Sequence, residues 1–331
     1  MPALIFGPSF IAMLLAGVLL QLVLVSFVGL PALLIACFVK RWRRVLLRHP
    51  RTFGVLALVF STVVAGTLWS EAREFLDTQA LNPRLEQDLQ LGGLRFPAGT
   101  QVKLATWKPL DIYDQPQVHG LQSLKYAEFA EPQPVMGVQV TALELPEHGD
   151  YVRLQLASDQ VVDGWPCAGG SWVTLDAAAE VRLQPERWTL DSCTLAPQVT
   201  VQGVTWPADS LVSHHTHEYI VQTLGAAHPP VVIEGIGLVS LTLKLNEQRQ
   251  RRYWTGQLAD PMSLGDWEYP RGMSVRQDEV PTVLFSPSSD YAARNLRTGE
   301  TLAAGRSILQ RRADGSTLWI KSNAELGVPD W

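Results

Sequence analysis

Metal-ligating side chains are densest at His214, His215, His217 and Glu218. If this stretch is a strand, His215 and His217 share one face, and His214 with Glu218 the other. Two imidazoles on one face are half of a zinc site, so His215 and His217 are the candidate metal ligands, with His228 the near supplement. The plainer alternative is a set of polar strand or loop residues. Of the three cysteines, Cys37 sits in an apolar run, while Cys167 and Cys193 stand together in the larger, polar part. In an oxidising compartment these two can bridge, and closing a loop of that size stabilises a chain by about 3 kcal/mol in the chain-entropy view. Free buried thiols are the alternative. No Cys-x-x-Cys is present, which argues against redox catalysis. Ser171 follows Gly169-Gly170 without a Gly-x-Ser-x-Gly frame. Gly235-Ile236-Gly237 lacks the third glycine and the basic residue of a phosphate loop. Asp159 and Asp163 form the sort of carboxylate pair that turns commonly carry. Catalytic residues and a bound cofactor are therefore not expected.

The elements that must carry these residues divide by charge. The first 70 residues hold six Lys/Arg and no Asp or Glu, whereas the remainder holds 21 basic and 32 acidic residues. An acidic bulk argues against nucleic acid as a partner. With 47% apolar and 18% charged residues among 331, the chain is no disordered segment. Residues 3–39 are apolar and uncharged, longer than the roughly 20 residues a span needs. A span over 12–38 is expected, with Pro31 kinking or breaking it. A cleaved signal peptide fits poorly, since there is no basic leader and the apolar run is too long. A second run covers Phe53 to Trp69, with Trp69 at the place of an interfacial anchor. Lys40, Arg41, Arg43, Arg44, Arg48 and Arg51 lie between the runs, and positive loops stay in the cytoplasm. The expected topology puts the N-terminus and everything after residue 71 outside. The runs contain no charged side chain at depth, so they read as an anchor, not a transport path.

Residues 71–90 read as a helical connector. Glu71, Glu74 and Asp77 make an acidic first turn, Leu85 and Leu89 keep helical spacing, and Gly92-Gly93 end it. Beyond it, Val, Thr, Leu and Trp alternate with polar residues, broken by Gly, Pro and Asp every 8–12 positions, which is the pattern of short antiparallel strands. An internal repeat runs through this part. Its copies hold Gly93, Phe96, Pro97, Gly99 and Val102; then Gly164, Trp165, Pro166, Gly170 and Val173, irregularly spaced; then Gly203, Trp206, Pro207, Asp209 and Val212; then Gly265, Tyr269, Pro270, Gly272 and Val275. Leu156-Ala157, Leu195-Ala196 and Leu258-Ala259 precede three of them. Proline cannot donate to a ladder and belongs at a strand start or edge. Phe96-Pro97, Trp206-Pro207 and Tyr269-Pro270 are thus expected to be structural turn units, each aromatic packed over its turn. Arg306 to Arg312 and Ser316 to Ile320 flank Ala313-Asp314-Gly315, a hairpin signal.

Leu195-Ala196 through Gly203, Trp206-Pro207-Ala208 and the later Phe285-Ser286-Pro287 resemble an uncharacterised group of Gram-negative bacterial proteins. Those proteins carry similar Leu-Ala…Gly…Pro-Ala-Gly β-repeats, often behind N-terminal membrane spans. The resemblance covers residues 150–325 and implies no activity, substrate or catalytic residue. The expected architecture is two N-terminal transmembrane α-helices plus an all-β, repeat-built, meander- or solenoid-like exported domain. Residues 1–70 form a two-span anchor with a cytoplasmic basic loop at 40–51, residues 71–90 the helical connector, and residues 91–331 a periplasmic repeat domain of a bacterial inner-membrane protein. The expected role is binding or structural. The domain docks a protein or glycan of the cell envelope, with some of the eleven tryptophans as a platform, or neutralises a toxin. The alternative is an envelope hydrolase or metal-dependent enzyme using the region from His214 to Glu218.

Overall fold

The computed structural model describes residues 21, 23–35, 38, 39, 41, 42, 44, 48–146, 149–227, 229–302 and 304–326. Cys37, His228 and Trp331 lie outside these. The chain divides into two compact units, Met1–Asn82 and Pro83–Trp331.

In the first unit, helix α1 (Val23–Ile35) runs through Pro31, where a kink or a break was expected, so the break is absent. Helices in apolar surroundings tolerate proline because neighbouring groups take up the freed carbonyl. Helix α2 (Pro50–Leu81) opens with Pro50 in its first turn, where a missing N–H costs nothing. Among the described residues it is the one helix long and apolar enough to cross a membrane, where two were expected; the first expected span, over 12–38, lies partly outside those residues. Thr62 donates to the Leu58 carbonyl at 2.6 Å and Thr67 to that of Val63 at 3.1 Å, so both hydroxyls are satisfied within the helix. A side chain at Gly29 would collide with the Phe60 ring, so the glycine lets the two helices approach. Helix α2 absorbs the second apolar run together with the start of the expected connector. It ends at Leu81 and not near residue 90, because Pro83 pushes Asn82 out of the helical region. Leu85 and Leu89 belong to the β unit.

The second unit is built on a fifteen-stranded antiparallel sheet. Fourteen of its strands follow one another in chain order: β1 (Gln101–Leu104), β2 (Leu124–Val135), β3 (Val138–Glu144), β4 (Tyr151–Leu156), β5 (Trp172–Asp176), β6 (Thr189–Thr194), β7 (Leu211–His215), β8 (Glu218–Gln222), β9 (Ile236–Asn246), β10 (Arg251–Leu258), β11 (Ser274–Gln277), β12 (Thr282–Ser286), β13 (Arg306–Arg311) and β14 (Thr317–Ser322). The expected meander is thus a single continuous one. Its inner face is a row of cross-strand partners, Val102, Ala127, Leu143, Leu154 and Val173, continued by Cys193, Val212, Val221, Leu243 and Trp254. All are buried. Period-two alternation in the sequence selects this face.

Hairpins folded over the inner face bury it. They comprise Leu89–Leu91 with Leu94–Phe96, Gln160–Val162 with Trp165–Cys167, Thr200–Val201 with Val204–Thr205, Val231–Ile233 with the start of β9, and Met262–Leu264 with Trp267–Tyr269. Asp163-Gly164, Gln202-Gly203 and Glu234-Gly235 have positive φ at both turn positions, the primed turn that matches strand twist. Each tip meets loops at the far end of the sheet. Gly93 N–H donates to the Leu183 carbonyl at 2.8 Å, Arg249 to those of Asp163 and Gly164, Gln202 to that of Arg249, and Gln310 to those of Leu264 and Gly315. Neighbouring hairpins are also joined. Ala157 N–H donates to the Gln139 carbonyl, Ala196 to Pro166 and Ala259 to Gly237, which gives the second residue of each Leu-Ala pair its place.

The repeat has one spacing. An N–H of Leu85, Leu156, Leu195 or Leu258 donates to the carbonyl of Thr100, Ser171, Ser210 or Met273 respectively. In that register Phe96, Cys167, Trp206 and Tyr269 are equivalent, each 0% exposed. The second copy is therefore regular, but Cys167-Ala168 replaces the aromatic-Pro pair, and Trp165 aligns with Leu94, Val204 and Trp267. The fourth copy has the same length, although its glycine stands four residues before the aromatic instead of three. Its turn is Gly265-Asp266, with the glycine at the first turn position instead of the second.

Candidate binding face

The outer face of the same strands carries a second cross-strand row: Lys103, Tyr126, Glu144, Arg153, Thr174, Ser192, Ser213, Ile220, Lys244 and Tyr253. One step over, Thr255, Arg276, Leu284, Leu309 and Trp319 continue it across β10 to β14. Lys103 is exposed, and the others are half-buried apart from buried Ser213 and Leu284. The row is small and hydroxylated in the middle, with cations against aromatic rings toward either side. Lys103 Nζ lies 5.0 Å from the Tyr126 ring centre, and the Arg153 guanidinium 4.9 Å from that of Trp172. Beyond the hydroxyls, Lys244 at 5.5 Å and Arg276 at 4.6 Å share the Tyr253 ring. Lys321 lies 5.2 Å from the Trp319 ring. Such pairs hold a cation by the ring quadrupole.

Carboxylates fix the cations. Glu144 Oε2 accepts from Arg153 Nη1 at 2.9 Å, Glu218 Oε1 from Lys244 Nζ at 2.7 Å, and Asp278 Oδ1 from Arg276 Nε at 2.7 Å. Arg252 reaches Glu218 Oε2 at 3.3 Å. The Lys244 hydrogen bond holds the Glu218 carboxyl below its ordinary range, and Glu218 and Tyr253 hold the Lys244 ammonium above its own. Burial pushes the Tyr126 phenol up, with Glu128 and Glu144 adding to it. Leu284, Leu309, Trp319 and Leu326 line a cavity of about 230 Å³ rimmed by Arg276, Asp278 and Thr282. Aromatic residues and arginine are the types enriched at protein interfaces.

The residues read as chemistry in the sequence are placed otherwise. The stretch from His214 to Glu218 is a hairpin and not one strand: β7 ends at His215, and Thr216 at φ +51° opens the turn. His217 therefore does not share a strand face with His215. Its Nδ1 lies 2.7 Å from Glu247 Oε1, His214 stacks on Tyr219 at 4.6 Å, and Glu218 is held by Lys244 and Arg252. Among the described residues no group of three or more His, Cys, Asp or Glu is placed to hold a metal ion. Ser171 Oγ closes its own turn on the Ala168 carbonyl at 2.6 Å. Asp159 Oδ1 accepts the Gly169 N–H at 2.7 Å, as Asp88 Oδ1 does that of Ala98 at 2.9 Å, so this carboxylate belongs to the repeat. Cys167 and Cys193 form a disulfide with Cα atoms 5.9 Å apart, tying a hairpin to β6.

Most of the tryptophans near the repeats are core. Trp165, Trp188, Trp206, Trp254 and Trp267 are buried, leaving Trp172 half-exposed beneath Arg153. The outer row was missed because its residues are single polar positions on different strands. The signal available was the alternation within each strand, as in Tyr151-Val-Arg-Leu-Gln-Leu156. No protein-family model matches this chain, and a comparison with curated proteins finds no match to it.

Proposed function

We propose that this is a membrane-anchored binding protein of the Gram-negative cell envelope. Two N-terminal spans hold it in the inner membrane, residues 40–51 face the cytoplasm, and the β unit stands in the periplasm and docks a protein partner on its outer face. The observation that carries this reading is the row of arginine– and lysine–aromatic pairs on the face opposite the hairpins. Stability alone does not account for such a row, because pairs that keep one side open to solvent contribute only modestly to it. A partner would desolvate them, and buried arginine and aromatic anchors dominate binding energies. A toxin neutralised at the membrane is one partner of this kind.

The test is crosslinking of the full chain in its native envelope, with identification of the captured protein. A chain carrying Arg153→Ala and Tyr253→Ala should lose that capture while its melting curve changes little. Undiminished capture by the double variant would exclude the outer face as the docking surface.

A further inference from the structure

The β1–β2 connection, residues 105–123, is an ordered projection with an apolar tip. Asp111 Oδ1 accepts the N–H groups of Tyr113 at 2.8 Å and Gln115 at 2.9 Å, and Asp111 N–H donates to the Gln115 carbonyl at 2.9 Å. Gln117 Nε2 donates to the carbonyls of Lys108 at 3.1 Å and Leu110 at 3.0 Å. Ser123 Oγ donates to that of Thr106 at 2.7 Å, closing the base. On this frame Ile112 is 88% and Tyr113 75% exposed, with Trp107, Leu110 and Val118 exposed beside them. A tip so preorganised loses little entropy when it docks. An apolar cluster this open marks an interaction site.

The chain's own path says what it meets. The Val102 N–H donates to the Pro83 carbonyl at 3.0 Å and the Leu85 N–H to the Thr100 carbonyl at 2.9 Å. Residues 83–85 thus run antiparallel to β1 and reach it from its Leu104 end, the end from which the projection springs. Only residues 70–82 separate Pro83 from Trp69, the last residue of the second apolar run. That tether spans about 20 Å as helix and at most about 45 Å extended. In a membrane-anchored chain, so short a tether limits how far this end of the sheet can lie from the bilayer and raises its effective concentration there. Trp, Tyr and aliphatic side chains together are the set that partitions into a membrane–water interface. The projection carries Lys108 against Asp111 and Asp114, so attraction to anionic lipid adds nothing.

We infer that Trp107, Leu110, Ile112, Tyr113 and Val118 insert into the headgroup region of the bilayer in which the chain is anchored, making the projection a second membrane contact. This rests on the membrane-anchored reading proposed above. The test uses the full chain in phosphatidylcholine vesicles, with a photoreactive diazirine amino acid in place of Ile112 or, as a control, of exposed Ala208 in a turn at the opposite end of the sheet. Position 112 should yield several-fold more lipid adduct than position 208, with or without anionic lipid. Absence of lipid adducts at 112 from chain that resists alkaline extraction overturns the inference and leaves the anchor intact. So do adducts to protein in place of lipid. Chain that alkaline treatment releases overturns the anchor itself, and the inference with it.

Discussion

At the scale of the residue, Trp206 and Glu218 show how differently two conspicuous side chains are held. Trp206 is wholly buried beside the Pro207 turn, and among the described residues its Nε1–H finds no hydrogen-bond partner. Trp206→Ala should cost about 3–5 kcal/mol, the usual range for a buried large aromatic, read as a lower denaturation midpoint. Trp206→Phe should cost much less, because phenylalanine brings no unpaired donor into the core and the first repeat already holds Phe96 at this place. Equal losses for both variants would contradict this assignment. Glu218 acts through charge. Its carboxyl is held below the 4.5 of a free glutamate, chiefly by the Lys244 hydrogen bond. The folded value lies below the unfolded one, so the pair stabilises above about pH 4.5 and is lost as pH falls through the folded value. Glu218→Gln should therefore be less stable than the parent at pH 7, and the gap should narrow as pH falls below about 4.5, read from denaturant titrations across that range.

At the scale of the element, the hairpins are the unit of construction, and the sequence shows them unevenly. Glycines at the tips and the aromatic-Pro turns stand out because backbone geometry demands those residue types. The second copy looked irregular because Trp165-Pro166 imitates the motif two positions early, while Cys167 holds the true place. Leu85 was hidden by a helical spacing that ends in fact at Leu81. Nothing in a linear pattern reveals where a tip lands, so the docking of Asp163-Gly164 under Arg249 was not legible. That contact makes a prediction. Gly164 and Gly203 occupy equivalent turns at φ +70° and +76°. A side chain at Gly203 meets nothing within 4 Å, whereas one at Gly164 strikes the Arg249 guanidinium. Gly203→Ala should cost only the left-handed strain of about 1–2 kcal/mol. Gly164→Ala should cost more, and Gly164→Ala combined with Arg249→Ala should recover part of the excess. Identical melting shifts for the two single variants would show that Arg249 simply moves aside.

At the scale of the molecule, charge and hydropathy divide the chain after residue 70, about three helical turns before compactness does at Asn82. That division was legible because a bilayer and an aqueous β unit select opposite compositions. The outer-face row was not, since it is assembled by register from strands spread over the sequence from Lys103 to Trp319. Orientation is the remaining property of the whole molecule, and two measurements on one chain test it. The basic segment around Arg41, Arg44 and Arg48 should stay in the cytoplasm, so a reporter active only there should work when fused at Arg44. One active only outside should work when fused after Leu81, where helix α2 ends. The cysteines report independently, because a disulfide persists in an oxidising compartment and is reduced in the cytoplasm. Cys167 and Cys193 in intact cells should resist alkylation, even under denaturing quench, until a reductant is added. Reversed reporters together with freely alkylated thiols would place the β unit in the cytoplasm and remove the envelope partner. Correct reporters with free thiols would keep the orientation and refute only the bridge, whose loss would cost about 3 kcal/mol in the chain-entropy view and free one hairpin from β6.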